Sequence, residues 1–420
     1  MPFRSKAKAY NNSMSLANLT TEQPFADFAV LLTDLKRNLY AEGSPVVLFG
    51  GLYGGSNASC LDETQTIKDS WKALDDQGNG QDGLLKLSKT FHLCQRVVAG
   101  TERSIVKTVT VVGDVHGQLH DLLFLLAAGF PSDKRMFVFN EDYVDRGAWG
   151  FETLIILLAW KVFLVDYVFL LRGNHETKDC TMAYGFHQEV LAKYGNDGKN
   201  VYQMCFKCFA ELPLASVIPS SVFTAHGGLF RGKDKRGHNN GDMRLGSLQE
   251  LQNARRFVLN PQGKGPNLIP GDVLWSDQSM EKGLSPNEER GLSLLWGPDV
   301  TQEFLETNNL KLIIRSHKGP DVRHCRDDLP GMDKGYGVDH VVKSGMLITL
   351  FSAPDYPQFQ TTENRYNNDG AYIVLSPPDF ANPEYHSFKA VKPRPEVLPY
   401  YDVDPDEELD LESMSLGSHQ

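Results

Sequence analysis

Hydrophobic and polar positions in the middle of the chain switch repeatedly between the period of a strand and that of a helix. The predicted elements are strands at "IVKTVTVV" (105–112), "MFVF" (136–139) and "YVFLL" (167–171), and helices at "QLHDLLFLLAAG" (118–129) and "FETLIILLAWKVF" (151–163). Strands separated by helices in this way indicate parallel, buried pairing and an α/β fold. Later strands are predicted at 221–225, 311–314, 346–351 and 371–375.

One apolar run, "LIILLAWKVFLVDYVFLL" (154–171), is nearly long enough to span a bilayer. Lys161 and Asp166 interrupt it where charge in a spanning helix is most unfavourable. The run therefore predicts a helix followed by a buried strand.

The two ends of the chain lack this regular pattern. Residues 1–85 are poorly patterned and predict an N-terminal extension, 86–392 predict the main domain, and 393–420 predict a disordered tail. The 420 residues carry a net charge of −11. Seven acidic residues between Asp402 and Glu412 supply much of it, so the body is only mildly acidic and a general nucleic-acid binder is disfavoured.

Six cysteines are few for this length, and the first twenty residues contain no apolar segment typical of a signal peptide. We therefore expect a reducing compartment. The pair Cys205 and Cys208 has redox or zinc spacing, but its surroundings predict a packed helix.

Short polar motifs follow five of the predicted strands. They are "GDVHG" (113–117), "EDYVDRG" (141–147), "RGNHE" (172–176), "HGG" (226–228) and "RSH" (315–317). Any one of them would more often be an ordinary turn than a site. Because loops after the carboxyl ends of strands meet at one rim of an open α/β sheet, five in succession predict a site there.

The side chains in these motifs are ligand types for divalent Mn, Fe or Zn, namely carboxylate, imidazole and amide oxygen. Six of them are enough for two ions, with Asp142 placed to bridge: Asp114, His116, Asp142, Asn174, His226 and His317. Two such ions can activate a water and clamp an in-line displacement at phosphorus.

Together with "VLWSD" (273–277) and "FSAPDY" (351–356), and in this order, the motifs resemble the metal-dependent serine/threonine phosphoprotein phosphatase family over roughly residues 85–390. "FSAPDYPQFQ" and "NLIPGDVLWSD" are similar to the plant protein phosphatase 7 branch. The resemblance implies the calcineurin-like metallophosphoesterase fold, an α+β sandwich of mixed sheets flanked by helices, with a dinuclear metal site at the C-terminal ends of strands.

The resemblance also implies a role for each site residue. One metal would bind Asp114, His116 and Asp142, and a second would bind Asp142, Asn174, His226 and His317. His175 would be the general acid, oriented by Asp145. Arg146 and Arg290 would bind the phosphate, and Tyr356 would line the site.

The implied activity is hydrolysis of phosphoserine and phosphothreonine in proteins by direct attack of a metal-bound hydroxide. The implied cofactors are two divalent ions, Mn with Fe or Zn as alternatives, and the implied partners are phosphoprotein substrates rather than nucleic acid or membrane. Regulatory partners are left open. The plant resemblance suggests residence in the nucleus, the cytoplasm or both.

Glu141 departs from the family pattern, which has Gly directly before the bridging aspartate. A side chain there could crowd the loop, add a carboxylate beside the ions, or turn to solvent. The expected result is reduced activity. Two alternatives follow, a phosphatase-like scaffold weakened or inactivated by Glu141, and another metallophosphoesterase that cleaves nucleotides or diesters. A cysteine-nucleophile phosphatase is disfavoured because no cysteine is followed six positions later by arginine.

Overall fold

The computed structural model describes residues 107–393 and Tyr400, apart from positions 133, 165, 219–220, 233–242, 262, 325, 327 and 358–364. The predicted N-terminal extension (1–85), the predicted domain start at 86 and nearly all of the predicted tail (393–420) lie outside the described residues.

Nine helices and thirteen strands are found in the described part of the chain. The helices are α1 (Leu119–Ala128), α2 (Gly150–Phe163), α3 (Lys178–Ala183), α4 (Phe186–Tyr194), α5 (Gly198–Glu211), α6 (Leu248–Gln252), α7 (Leu268–Trp275), α8 (Pro298–Thr307) and α9 (Pro320–Arg323). The strands are β1 (Thr108–Val112), β2 (Arg135–Phe139), β3 (Val168–Leu170), β4 (Ala215–Ile218), β5 (Val222–Ala225), β6 (Asp277–Gln278), β7 (Leu284–Pro286), β8 (Leu294–Trp296), β9 (Leu312–Arg315), β10 (Tyr336–Val342), β11 (Gly345–Leu350), β12 (Gly370–Leu375) and β13 (Glu384–Phe388).

Two five-stranded mixed sheets form the centre of the fold. The first has the order β13-β12-β1-β2-β3, in which β1, β2 and β3 are parallel and β12 and β13 run antiparallel to their neighbours. The second has the order β10-β11-β9-β5-β4, with β5, β9 and β11 parallel. A small third sheet joins β6, β8 and β7.

The two large sheets pack face to face, since one apolar cluster contains side chains from both. Val111 and Ile373 of the first sheet lie in the same cluster as Ile314 and Ile348 of the second. The opposite face of the first sheet packs on α1, α2, α4 and α5, and that of the second packs on α7 and α8. The result is a four-layer sandwich, helices–sheet–sheet–helices, and the predicted α/β class with mixed sheets flanked by helices is confirmed.

The pattern-based elements are confirmed near their predicted positions. The run at 154–171 divides into the end of α2 and strand β3, and no helix among the described residues is long and apolar enough to span a membrane. Cys205 and Cys208 are buried in α5, as the helix prediction required.

One expectation about the sheet is wrong. The five motif-bearing strands do not share one rim, because β1, β2 and β3 belong to the first sheet and β5 and β9 to the second. The rims are joined instead by a parallel bridge between Asp114, just after β1, and Phe351, just after β11. The motifs still converge, because the C-terminal ends of both sets of parallel strands lie at the same end of the sandwich.

Candidate active site

Two loops at the ends of β1 and β2 are tied together by backbone hydrogen bonds. The carbonyl of Asp142 accepts from the N–H groups of Val115 at 3.1 Å and His116 at 2.8 Å, and the carbonyl of Tyr143 accepts from Gly117 at 2.8 Å. These bonds fix the segment that carries the first two ligand-type residues against the segment that carries the third.

Six non-glycine residues in the motif loops after β1, β2 and β9 have left-handed backbone conformations. Their φ angles are 43° for His116, 92° for Glu141, 46° for Asp142, 66° for Asp145, 68° for Arg146 and 73° for His317. Such conformations cost about 1–3 kcal/mol each, and they persist where the surrounding structure imposes them, typically at functional sites.

Asp142 lies at the centre of the site. Its Oδ2 is 3.4 Å from His226 Nε2, 3.8 Å from His116 Nε2 and 4.0 Å from His175 Nε2. Its Oδ1 accepts a hydrogen bond from the backbone N–H of His175 at 3.0 Å. One carboxylate oxygen is thus surrounded by imidazole nitrogens from three loops, which is the position that a bridging ligand requires.

A second group of donor atoms lies beside it. Asn174 Oδ1 is 2.5 Å from His226 Nε2 and 3.0 Å from His317 Nδ1, and these two nitrogens are 3.0 Å apart. The sequence assigned these three residues, with Asp142, to one ion. The structure brings all four together.

The residues assigned to the other ion are arranged less symmetrically. Asp114 groups with Asp142 and His226, whereas His116 groups with Asp142 and His175, each set of ligand atoms lying within 4.8 Å of one another. Asp114 Oδ2 accepts from the backbone N–H of His317 at 3.2 Å, and Asp114 Oδ1 has no hydrogen-bond partner in the described part of the chain. A buried carboxylate oxygen left in this way is suited to a cation.

The electrostatics of these groups also fit a cation. Burial raises the pKa values of Asp114 and Asp142, and for Asp142 the charges of Asp114 and Glu176 add to the effect. Burial lowers the pKa values of His116, His226 and His317, so their imidazoles are neutral, the form that binds metals. Clustered carboxylates with these neutral donors form a site that positive charge would stabilise.

His175 is held by a carboxylate on its other ring nitrogen. Asp145 Oδ2 lies 2.7 Å from His175 Nδ1, and Asp145 Oδ1 accepts from the backbone N–H of Phe186 at 2.9 Å. This arrangement directs His175 Nε2 towards Asp142. Burial, followed by the positive charges of Arg146 and Arg290, lowers the pKa of His175, which makes its protonated form a stronger acid.

The predicted phosphate-binding and lining residues surround this group. The guanidinium of Arg146 lies 4.0 Å from the ring centre of Tyr184, and Nε of Arg290 is 2.5 Å from Asp277 Oδ2. The buried ring of Tyr356 lies 5.4 Å from that of His116.

Two buried carboxylates with structural roles were not assigned from the sequence. Glu176 accepts from the backbone N–H groups of Asp142 at 3.2 Å, Tyr143 at 2.9 Å and Gly173 at 2.9 Å, and so fixes the loop after β2 to the loop after β3. A Cβ at Gly173 would overlap the Asp142 carboxylate, which explains the glycine beside them. Glu176 is the last residue of the "RGNHE" motif, so the signal was present.

Asp277, the last residue of "VLWSD", is the second. Besides Arg290 it contacts Arg315 at 3.2 Å and Lys318 at 3.6 Å. Burial alone would raise the pKa of Asp277, but Arg290, Lys318 and Arg315 together hold it at about 2. An ionised Asp277 therefore fixes the orientation of Arg290.

The Glu141 side chain turns inward. It is fully buried, and its Oε2 lies 3.0 Å from His226 Nδ1. The left-handed φ of 92° at this position is one that glycine adopts without strain, which is the property expected of a glycine site.

Comparison with known proteins agrees with this site. The calcineurin-like phosphoesterase family model matches residues 107–320. Serine/threonine-protein phosphatase 7 of Arabidopsis thaliana is 57% identical over 357 residues, which cover 80% of this chain and 86% of that protein. Serine/threonine-protein phosphatase 5 of Homo sapiens is 37% identical over 314 residues, which cover 74% of this chain and 54% of that protein.

Among solved structures, a protein serine/threonine phosphatase from Saccharomyces cerevisiae, described as similar to human phosphatase PP5, aligns with a TM-score of 0.60 and 26% identity. The alignment covers 81% of this chain and 98% of that one. With the family match over residues 107–320 and the identity to the Arabidopsis thaliana protein, the chain belongs to the serine/threonine protein phosphatases of the calcineurin-like phosphoesterase family.

Proposed function

We propose that this chain hydrolyses phosphoserine and phosphothreonine in proteins. The observation that supports the proposal most strongly is the meeting of three imidazoles around Asp142 Oδ2, at 3.4, 3.8 and 4.0 Å. The substrate class follows the relatives, which are named serine/threonine-protein phosphatases. Neither a non-catalytic scaffold nor a nucleotide-cleaving enzyme is favoured by any feature of the described residues.

Two divalent ions are the cofactors that the donor set fits. Asp114, His116 and Asp142 would hold one, and Asp142 would share the other with a second group of residues, namely Asn174, His226 and His317. When bound, such ions lower the pKa of a water and stabilise negative charge on phosphoryl oxygens. Oxygen and imidazole donors suit manganese, with iron or zinc as alternatives.

His175 would protonate the serine or threonine oxygen as it leaves. Asp145 holds Nδ1 at 2.7 Å and so leaves Nε2 as the nitrogen that carries the transferred proton. The Asp145 carboxylate would stabilise the protonated ring from which that proton is donated. Asp145 acts through His175 and is therefore a positioning residue.

Arg146 and Arg290 would bind the phosphoryl oxygens, since a guanidinium can donate to two oxygens at once. Both lower the pKa of His175 by their charge. Asp277 accepts from Arg290 Nε at 2.5 Å and from Nη2 at 3.5 Å, so Nη1 would be the nitrogen that faces the substrate. Tyr356 would line the same cavity beside His116.

The test is phosphate release by the full chain from phosphoserine and phosphothreonine peptides, with Mn²⁺, with chelator, and with Mn²⁺ restored. We expect activity that chelator abolishes and Mn²⁺ restores. Rates on a dinucleoside polyphosphate, measured alongside, should be much lower. Faster cleavage of that compound, or activity that survives the chelator, would contradict the proposal. Residence in the nucleus or cytoplasm stays a prediction.

A further inference from the structure

Glu141 is a buried carboxylate with an unexplained position. None of its side chain is exposed, and neither carboxylate oxygen has a hydrogen-bond partner in the described part of the chain. Buried carboxylates are normally paired, so an unpaired one inside a site indicates a missing partner or a role toward a neighbour.

The neighbour is His226. Glu141 Oε2 lies 3.0 Å from His226 Nδ1, which also lacks a hydrogen-bond partner among the described residues. This distance is within hydrogen-bond range, so the carboxylate is close enough to accept from Nδ1–H. The other ring nitrogen, Nε2, faces Asn174 Oδ1 at 2.5 Å and His317 Nδ1 at 3.0 Å.

Other acceptors for His226 Nδ1 are less suitable. Asp114 Oδ1 is 3.7 Å away, beyond hydrogen-bond distance, and Asp114 is itself assigned to a metal ion. Glu141 is therefore the carboxylate placed to accept a hydrogen bond from Nδ1–H of His226. A histidine whose second nitrogen donates to a carboxylate is fixed in one tautomer and is a stronger ligand through its first nitrogen.

We propose that Glu141 is a positioning residue of the second metal site, holding the Nδ1 proton of His226 so that Nε2 is presented to the ion. This inference rests on the proposed function, since it assumes the ion shared by Asn174, His226 and His317. It assigns the glutamate a defined function at a position where the family pattern has glycine.

The test is stepwise Mn²⁺ binding, measured by calorimetry on full-length protein from which a chelator has removed metal. Three variants are compared with the parent: Glu141→Gly, Glu141→Gln and Glu141→Asp. The glutamine keeps an oxygen that can accept a hydrogen bond from Nδ1–H of His226. The aspartate keeps the charge but is one methylene shorter, so it should not reach His226.

We expect Glu141→Gly and Glu141→Asp to weaken binding of one of the two ions by about 10–100-fold, while the other binds as in the parent. Glu141→Gln should lose less. Equal affinities in all four proteins would overturn the proposal, and higher turnover of Glu141→Gly at saturating Mn²⁺ would then show that Glu141 only crowds the loop. A loss in Glu141→Gln as large as in Glu141→Gly would also overturn it, because it would indicate a direct ligand.

The binding result does not depend on catalysis. If the parent binds two ions but hydrolyses no phosphopeptide, the proposed function fails and the inference about Glu141 can still stand. If the parent is an active phosphatase and the variants bind Mn²⁺ as it does, only the inference fails.

Discussion

Replacing Glu141 with glycine should make the metal-free protein more stable. Two structural features lead to this expectation. The backbone of Glu141 has φ 92°, and its buried carboxylate has no hydrogen-bond partner among the described residues. Both features destabilise the folded chain when no cation is present to compensate them.

An alanine variant separates the contributions of the two features to the expected gain in stability. Relief of the left-handed strain contributes about 1–3 kcal/mol, offset by roughly 0.5–1 kcal/mol for the larger entropy of glycine in the unfolded chain. Removal of the buried carboxylate relieves a desolvation cost of about 1–3 kcal/mol, offset by about 0.8 kcal/mol for a lost methylene group. The alanine variant gains only the contribution from removing the carboxylate, because its Cβ retains the backbone strain.

The assay is urea unfolding in excess chelator, followed by tryptophan fluorescence and circular dichroism. The expected order of midpoints is Glu141→Gly above Glu141→Ala above the parent, with a total gain of up to about 5 kcal/mol. With saturating Mn²⁺ the gain should shrink or reverse, because ions that bind only the folded chain stabilise the parent most. A glycine variant no more stable than the alanine variant in chelator would refute the strain argument.

Three further predictions concern other groups. His175→Gln should lower kcat by about 10²–10⁴-fold with two Mn²⁺ ions still bound, as a general acid requires, whereas loss of an ion would identify His175 as a ligand. Asp277→Asn should lower the free energy of unfolding by about 2 kcal/mol at pH 7. The pKa of Asp277 is about 2 in the folded chain and ordinarily 3.8, so its charge stabilises the fold above pH 3.8, and this contribution is lost as the pH falls through 2. Urea midpoints of the two proteins should therefore approach one another between about pH 4 and 2, and a constant difference would contradict this. Burial raises the pKa of the Cys208 thiol to about 12 and that of Cys205 well above its usual value. Both thiols should therefore resist an alkylating reagent at pH 8 until urea unfolds the protein. Mass spectrometry of the peptide that carries both cysteines would measure this.

The sequence could place the ligand-type residues at strand ends because each belongs to a short motif directly after a strand. The alternation in "IVKTVTVV" and the apolar run in "MFVF" locate β1 and β2 within a few residues, and strand ends fix which side chains enter the loops. Local pattern is sufficient for this step, since a strand and the loop after it are neighbours in the chain.

The arrangement of the sheets could not be predicted in the same way. The pattern shows that β5 and β9 are buried, but not that they form a second sheet packed on the first through Ile314 and Ile373. Pairing between strands as distant in sequence as β5 and β9, where Val222 lies opposite Leu312, depends on packing that the hydrophobic period does not encode. Short or partly exposed strands such as β7 and β13 were missed for the related reason that they have few buried positions.

The inward position of Glu141 illustrates where local reasoning ends. The sequence left three outcomes open for its side chain: crowding the loop, adding a carboxylate beside the ions, or turning to solvent. The backbone on either side of residue 141 decides among them. The N–H of Asn140 donates to Val112 at 2.6 Å, and the Asp142 carbonyl accepts from both Val115 and His116. The N–H of Asp142 also donates to Glu176 Oε2 at 3.2 Å, so hydrogen bonds anchor the residues on both sides, and φ at position 141 is set by the loops and not by the residue. A glutamate there cannot relax without moving Asp142, so its carboxylate is directed into the site, where it lies 3.0 Å from Nδ1 of His226, a nitrogen without a hydrogen-bond partner among the described residues.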